Sequence, residues 1–186
     1  PRRNIKPLSY FWAKDYLNVA EKHCYSYEYY WHNNVFRRKI YQPYSTDRKW
    51  ISNVDTTVIQ NINTLPKSPD NELLIISSSY KDTGVIECNL TLPDSRLYIP
   101  SCAPNNEGAF LPPQLPYKFS QRFKRIVTWF DNDYAGHKAA KKYQQLYGYE
   151  PIFIPEGWAK DPFEFRDKYG KREFVNLSNY LLYGNS

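Results

Sequence analysis

From residue 72 onward, apolar runs of strand length alternate with stretches of helical periodicity. Unbroken apolar runs of this length favour strands covered on both faces. The predicted strands are residues 73–77, 97–102, 126–130 and 151–154. The predicted helices are residues 82–90, 114–123 and 135–147, one starting at Asp161 and Pro162, and one over 173–183. Alternating strands and helices predict an α/β domain, with a parallel sheet flanked by helices.

The N-terminal part of the chain follows a different pattern. Residues 25–31 and 35–41 are aromatic and alternate loosely, and residues 32–34 between them are polar, which predicts an antiparallel hairpin. Residues 8–23 predict one short helix. The polar segment 68–71 is the predicted boundary. We therefore expect a basic, aromatic α+β unit over residues 1–71, followed by the α/β domain with its C-terminal helix over residues 72–186.

Two acids, Asp131 and Asp133, lie where the strand at 126–130 gives way to a helix. In open α/β sheets, this edge is where ligands bind. Two carboxylates at this spacing suit Mg²⁺; alternatively, Asp133 caps the helix and Asp131 is a turn residue. Gly136 is a poor residue for a first helical turn. Its presence predicts the close approach of a backbone or a phosphate.

Other candidate groups follow the remaining predicted strands. Glu107 comes after the second strand in a short polar loop and is expected to reach the same edge, although an exposed loop glutamate is the alternative. Asp82 follows the first strand and is either a ligand or a helix cap. Asp161 is expected to cap a helix. Lys81 and Lys160 either contact a nucleotide phosphate or lie in solvent.

The charge of the chain is concentrated near its N-terminus. Residues 1–50 contain ten lysines and arginines against four acids, which accounts for the whole net charge of +6. Basic residues among tyrosines and tryptophans are typical of nucleic-acid surfaces, while a small β core with a solvated charged face is the alternative. The candidate contacts are Arg37, Arg38, Lys39, Lys49 and Trp50.

Composition excludes several classes of protein. The sequence has no apolar stretch long enough to span a membrane, so no membrane association is expected. Three widely spaced cysteines without a C-x-x-C pair argue against structural zinc and favour reduced thiols in an intracellular setting.

The segment around Asp131, Asp133 and Gly136 resembles the aspartate motif of Toprim domains, the metal-binding unit shared by primases and topoisomerases. Further segments resemble primases of tailed bacteriophages, and they occur in the order found in that family. They are residues 73–82 (first strand and turn), 103–108 (after the second strand), 160–162 (late Asp-Pro element), and 39–44 and 49–53 (the region before Toprim).

The resemblance implies a DNA primase that joins ribonucleoside triphosphates on a single-stranded DNA template in the cytoplasm of an infected bacterium. It implies Mg²⁺, or alternatively Mn²⁺, as cofactor and a replicative helicase as a further partner. The expected metal ligands are Glu107, Asp131, Asp133 and Asp161, and the expected catalytic residues are Glu107, Asp131, Asp133 and Lys81. Asp82 and Lys160 are additional candidates.

The sequence departs from the family pattern at important positions. Ser78 stands where most Toprim enzymes have a glutamate, and Glu107 is expected to take over that role. Phe163 stands where bacterial primases commonly have another acid, and the zinc-binding domain of many primases is absent from this sequence. A Toprim nuclease and a non-catalytic nucleic-acid-binding module are therefore the competing interpretations.

Overall fold

The computed structural model describes residues 5–7, 23–32, 35–69, 71–93, 97–105 and 110–184. The chain forms two compact units, Pro1–Asp55 and Thr56–Ser186. Their division falls before the predicted boundary at 68–71, because Ile59 and Leu65 already belong to the core of the second unit. Three predicted features lie outside the described residues. They are residues 8–22 of the predicted helix, the turn residues 33–34, and Glu107.

The first unit contains an antiparallel sheet in the order β1-β2-β3-β4. The predicted hairpin is confirmed, because β2 pairs with β3 in antiparallel register. Ser26 and Ile40 are buried on one face of this sheet. The strands are β1 (Ile5–Pro7), β2 (Tyr25–His32), β3 (Val35–Tyr41) and β4 (Trp50–Ser52).

The second unit contains the predicted parallel sheet, in the order β6-β5-β7-β8. The α/β fold class and its antiparallel N-terminal unit are therefore confirmed. The second strand is shorter than predicted, and Pro100 just before it has no N–H to donate to a ladder. The strands are β5 (Asn71–Ser77), β6 (Ser101–Cys102), β7 (Phe123–Trp129) and β8 (Glu150–Ile152).

Four helices accompany the described part of the parallel sheet. The last helical element contains both predicted C-terminal helices, because Gly170, whose φ of 82° and ψ of 173° are not helical, divides it. Gly148 ends the helix before β8 in the left-handed conformation, as expected of a C-terminal glycine. The helices are α1 (Tyr80–Asn89), α2 (Gln114–Ser120), α3 (Tyr134–Tyr147) and α4 (Pro162–Tyr183).

Both faces of the parallel sheet are buried by apolar side chains. On one face, Leu74 and Ile76 pack in a cluster with Tyr143 of α3. On the other face, Trp129 stacks on Phe174 of α4 with ring centroids 5.8 Å apart. This double burial explains the unbroken apolar runs in the sequence and holds the carboxyl ends of the strands in fixed positions.

No helix among the described residues is both long enough and apolar enough to cross a bilayer.

Candidate functional site

Three buried carboxylates meet beyond the carboxyl ends of the parallel strands. Asp82 lies in the first turn of α1 after β5, Asp131 follows β7, and Asp161 precedes α4. One oxygen from each carboxylate lies within 4.8 Å of the other two. Asp82 is completely buried, and Asp131 and Asp161 are only 4% and 7% exposed. We call these three residues the aspartate triad, and oxygen donors in this arrangement suit Mg²⁺ or Mn²⁺.

Local capping interactions position Asp82. Ser79 is the N-cap of α1, and its hydroxyl lies 2.5 Å from Asp82 Oδ2. Asp82 Oδ1 accepts a hydrogen bond from the backbone N–H of Phe163 at 3.2 Å, which links the first turn of α1 to the first turn of α4. The cap is thus Ser79 and not Asp82. The Ser-x-x-Asp pattern of a capping box was the sequence signal for this arrangement.

Close backbone packing positions Asp131. A Cβ atom on Gly136 would lie 1.9 Å from the carbonyl oxygen of Asp131, so only glycine fits there. The predicted close approach of a backbone to Gly136 is therefore confirmed. The backbone N–H of Asp131 donates to Ser78 Oγ at 2.9 Å. The Ser78 side chain therefore helps to hold the backbone of Asp131 in place.

Asp133 and Asp161 both cap helices. Asp133 accepts from the N–H of Gly136 at 2.9 Å at the start of α3, as the capping interpretation predicted. Its side chain is partly exposed, and among the described residues it is not one of the three acids that share a ligand-sized space. Asp161 accepts from the N–H of Glu164 at 2.7 Å and also belongs to the triad. The predicted cap at Asp161, with Pro162 in the first turn, is confirmed.

Two lysines reach the aspartates. The ammonium of Lys160 lies 2.9 Å from Asp131 Oδ2 and 3.2 Å from Asp133 Oδ2. The ammonium of Lys81 contacts Asp161 Oδ2 and lies 3.6 Å from Asp82 Oδ1. It also lies 5.0 Å from the ring centroid of Phe163. Both lysines therefore pair with acids, and their ammonium groups partly neutralise the site.

Burial, hydrogen bonds and neighbouring charges shift the pKa values of Asp82, Lys81 and Asp133. Burial raises the pKa of Asp82 to about 6; Lys81 opposes this rise, and the carboxylates of Asp161 and Asp131 add to it. Burial alone would lower the pKa of Lys81, but Asp82, Asp161 and Asp131 raise it above its ordinary value. The hydrogen bond from Gly136, with help from Lys160, lowers the pKa of Asp133. A site with these properties favours an additional cation.

Asn132, which was not a predicted site residue, connects two segments of the site by hydrogen bonds. Its side chain donates to the carbonyl of Ile154 at 2.9 Å, and its backbone N–H donates to the carbonyl of Lys160 at 2.6 Å. Asn132 Oδ1 also lies 2.7 Å from His137 Nε2. These contacts hold the segment between Asp131 and Asp133 against the segment that carries Lys160.

The first unit presents a half-exposed aromatic face. Alternation along the paired strands places Tyr25, Tyr27, Lys39, Tyr41 and Trp50 on the same side of the sheet, and we call this set the aromatic face. Trp50 is 48% exposed and stacks on Tyr41 with ring centroids 4.6 Å apart. Lys39 Nζ lies 5.6 Å from the centroid of Trp50, and burial lowers its pKa.

The remaining predicted nucleic-acid contacts occupy different positions. Arg37 donates to the carbonyl of Asn53 at 2.6 Å and pairs with Asp55 at 3.2 Å. Because side chains alternate along a strand, Arg38 lies on the opposite side of β3 from Arg37 and Lys39. Lys49 is exposed just before β4. The structure thus brings Lys39 and Trp50 together, and it separates Arg38 from them.

Comparison with known proteins identifies a fold. No protein-family profile matches the sequence, and no curated protein sequence matches it. The structure is similar to the DnaG primase catalytic domain bound to single-stranded DNA, with a TM-score of 0.57 and 15% identity over 81% of this chain and 49% of that chain. It is also similar to the primase fragment of the bacteriophage T7 primase-helicase protein, with a TM-score of 0.55 and 16% identity over 81% of this chain and 60% of that chain.

A third similar structure is the Aquifex aeolicus primase with its zinc-binding and RNA polymerase domains. The TM-score is 0.56 and the identity 20%, over 83% of this chain and 39% of that chain. The chain therefore has a primase-type fold, and it spans about half the length of the primase structures that it matches.

We expect Gly136→Ala to destabilise the protein, because the new methyl group would collide with the backbone of Asp131. The free energy of unfolding should fall by at least about 2–3 kcal/mol in urea titrations. Lys138→Ala, an exposed change on the same helix, is the control and should have little effect. Equal stability of Gly136→Ala and the wild type would contradict the packing described here.

We expect Asp82 to make the stability of the metal-free protein depend on pH. Its folded-state pKa of about 6 exceeds its ordinary value of 3.8, so the folded protein binds more protons between these pH values. The stability that this group contributes is complete below about pH 4 and is lost as the pH rises through about 6.

Urea unfolding in a chelator from pH 4 to 7 measures this effect. The unfolding free energy of the wild type, relative to that of Asp82→Asn, should decrease over this range. A difference that does not change with pH would show that Asp82 titrates normally.

Proposed function

We propose that this chain is the catalytic core of a DNA primase, in which a Toprim domain synthesises short RNA primers on single-stranded DNA during phage replication. The observation that carries the proposal is the aspartate triad, which is buried at the carboxyl edge of the sheet in a primase-type fold. Phosphoryl transfer requires cations that neutralise phosphate charge and orient the reacting oxygens. An edge of buried acids is where such cations bind.

The donor set fits Mg²⁺, with Mn²⁺ as an alternative, because all three triad side chains offer hard oxygen atoms. Asp82, Asp131 and Asp161 would hold the ion, which would supply positive charge to the triphosphate and to the attacking hydroxyl. Asp133 remains a proposed ligand, because the ammonium of Lys160 contacts its carboxylate as well as that of Asp131. Glu107, which follows β6 in the sequence, remains a further proposed ligand.

Lys160 and Lys81 are the proposed phosphate contacts. Their ammonium groups lie beside the triad, and both side chains are about half exposed, so an incoming triphosphate can reach them. A lysine that pairs with a carboxylate in the free protein can turn its ammonium toward a phosphate when the nucleotide binds.

The aromatic face is the proposed template site. Half-exposed rings stack on unpaired bases, and neighbouring cations bind phosphates. Support comes from the DnaG domain, whose structure contains single-stranded DNA. A replicative helicase is a proposed partner, since the T7 fragment belongs to a primase-helicase protein.

Ser78 supports one competing function. It has no carboxylate, and its hydroxyl accepts a backbone N–H, so it would contribute little to metal binding. This observation favours a non-catalytic nucleic-acid-binding module. A Toprim nuclease would use the same acids to cut DNA instead of extending RNA.

Incubation with single-stranded DNA, ribonucleoside triphosphates and Mg²⁺ distinguishes the three functions. We expect short RNA products that disappear with a chelator and fall by about 100-fold or more in Asp131→Asn, because a charged ligand is lost. Asp167→Asn, an exposed change on α4, is the control and should be active. Shortened DNA would indicate a nuclease, and unchanged DNA without RNA would indicate a binding module.

We expect single-stranded DNA affinity to depend on the aromatic face. Trp50→Ala should weaken binding by about 1–3 kcal/mol per stacked base without changing the salt dependence. Lys39→Ala should lower the slope of log affinity against log salt by roughly 0.7 if Lys39 contacts one phosphate.

Arg38→Ala is the matched control, because it removes the same charge from the opposite side of the same strand. Its salt slope should stay close to that of the wild type. A larger effect of Arg38→Ala than of Lys39→Ala would place the template elsewhere.

A further inference from the structure

Lys81 holds an unusual position for a surface lysine. Its ammonium contacts Asp161, lies 3.6 Å from Asp82 Oδ1, and faces the ring of Phe163 at 5.0 Å. The side chain is 43% exposed, so the ammonium sits between buried acids and the solvent from which a substrate would arrive. An ammonium paired with an acid and facing an aromatic ring is held as a fixed positive charge.

While Lys81 is paired with Asp161, the acids that the structure describes at this edge provide for one divalent ion and not for two. Two-metal sites need carboxylates that bridge or flank ions about 3.5–4 Å apart. Here the triad supplies three carboxylates, and both oxygens of Asp82 already have hydrogen-bonding partners in Ser79 and the Phe163 N–H. The neighbouring positions Ser78 and Phe163 add no charge.

We propose that the Lys81 ammonium takes the place of a second metal ion. The site then binds one divalent cation at the aspartate triad, and Lys81 supplies the second positive charge toward the substrate phosphate. Phe163 supports this role because its ring stabilises the ammonium at a place where a carboxylate would attract a metal. This inference rests on the proposed metal-dependent function.

The number of bound ions tests the proposal without any substitution. Mn²⁺ titrated into the wild-type protein and followed by electron paramagnetic resonance should occupy one site per chain. Two sites per chain would overturn the role of Lys81 and leave the primase proposal intact. Absence of bound Mn²⁺ would overturn the proposed metal-dependent function itself.

Substitution of Lys81 gives the second test. Lys81→Met frees Asp161 and removes the repulsion between the ammonium and a metal, so this variant should take up a second Mn²⁺ and bind the first about tenfold more tightly. Lys81→Arg keeps the charge and should bind one ion, as in the wild type. A Lys81→Met protein that still binds only one ion would overturn the proposal.

Lys124→Met is the matched control for these titrations. Lys124 also pairs with an acid, Glu72, at 2.5 Å, but both residues lie at the amino ends of their strands and away from the triad. The control should bind one ion with wild-type affinity. Thermal melts of each variant with and without Mn²⁺ provide a readout that is independent of activity, and Mn²⁺ should raise the Tm of Lys81→Met more than that of the wild type.

Discussion

The burial of three like charges at one sheet edge is the constraint on which the second unit depends. Asp82, Asp131 and Asp161 are removed from water within a few ångströms of one another, and such burial is costly unless other groups compensate for it. The protein compensates with two lysine ammonium groups, with backbone N–H donors at helix starts, and with a proton held more tightly on Asp82. A divalent cation at the triad would compensate for the same buried charge.

Sheet burial, helix capping and close packing at Gly136 place the compensating groups. A sheet buried on both faces fixes the ends of β5 and β7, and α1, α3 and α4 each begin with a side-chain cap beside the triad. Gly136 brings the start of α3 against the backbone of Asp131, at a distance that no other residue allows. The positions of the acids thus follow from helix capping and close packing, and metal binding makes use of an arrangement that already exists.

Much of this architecture was predictable from the sequence because it depends on local patterns. The apolar runs predicted the parallel strands, the aromatic alternation predicted the hairpin, and Asp161 followed by Pro162 predicted a helix start. Gly136 predicted the close approach of a backbone or a phosphate, and a backbone is what it meets. These signals lie within a few residues of the features that they determine, and the structure confirms them.

Features formed between distant segments were not predictable in the same way. Lys81 meets Asp161 across 80 positions of sequence, and Asp82 meets the N–H of Phe163 across 81. No local pattern predicts such contacts, so the two lysines were assigned to phosphate or solvent. Asp131 and Asp133 were equally good candidates by their spacing, whereas in the folded chain Asp131 lies with Asp82 and Asp161.

The most direct test of this account is an anomalous-scattering measurement on crystals of the protein soaked in Mn²⁺. We expect a Mn²⁺ peak in contact with an oxygen of each member of the aspartate triad. A peak coordinated by Asp133 and remote from Asp82, or the absence of a peak at the triad at saturating Mn²⁺, would contradict it.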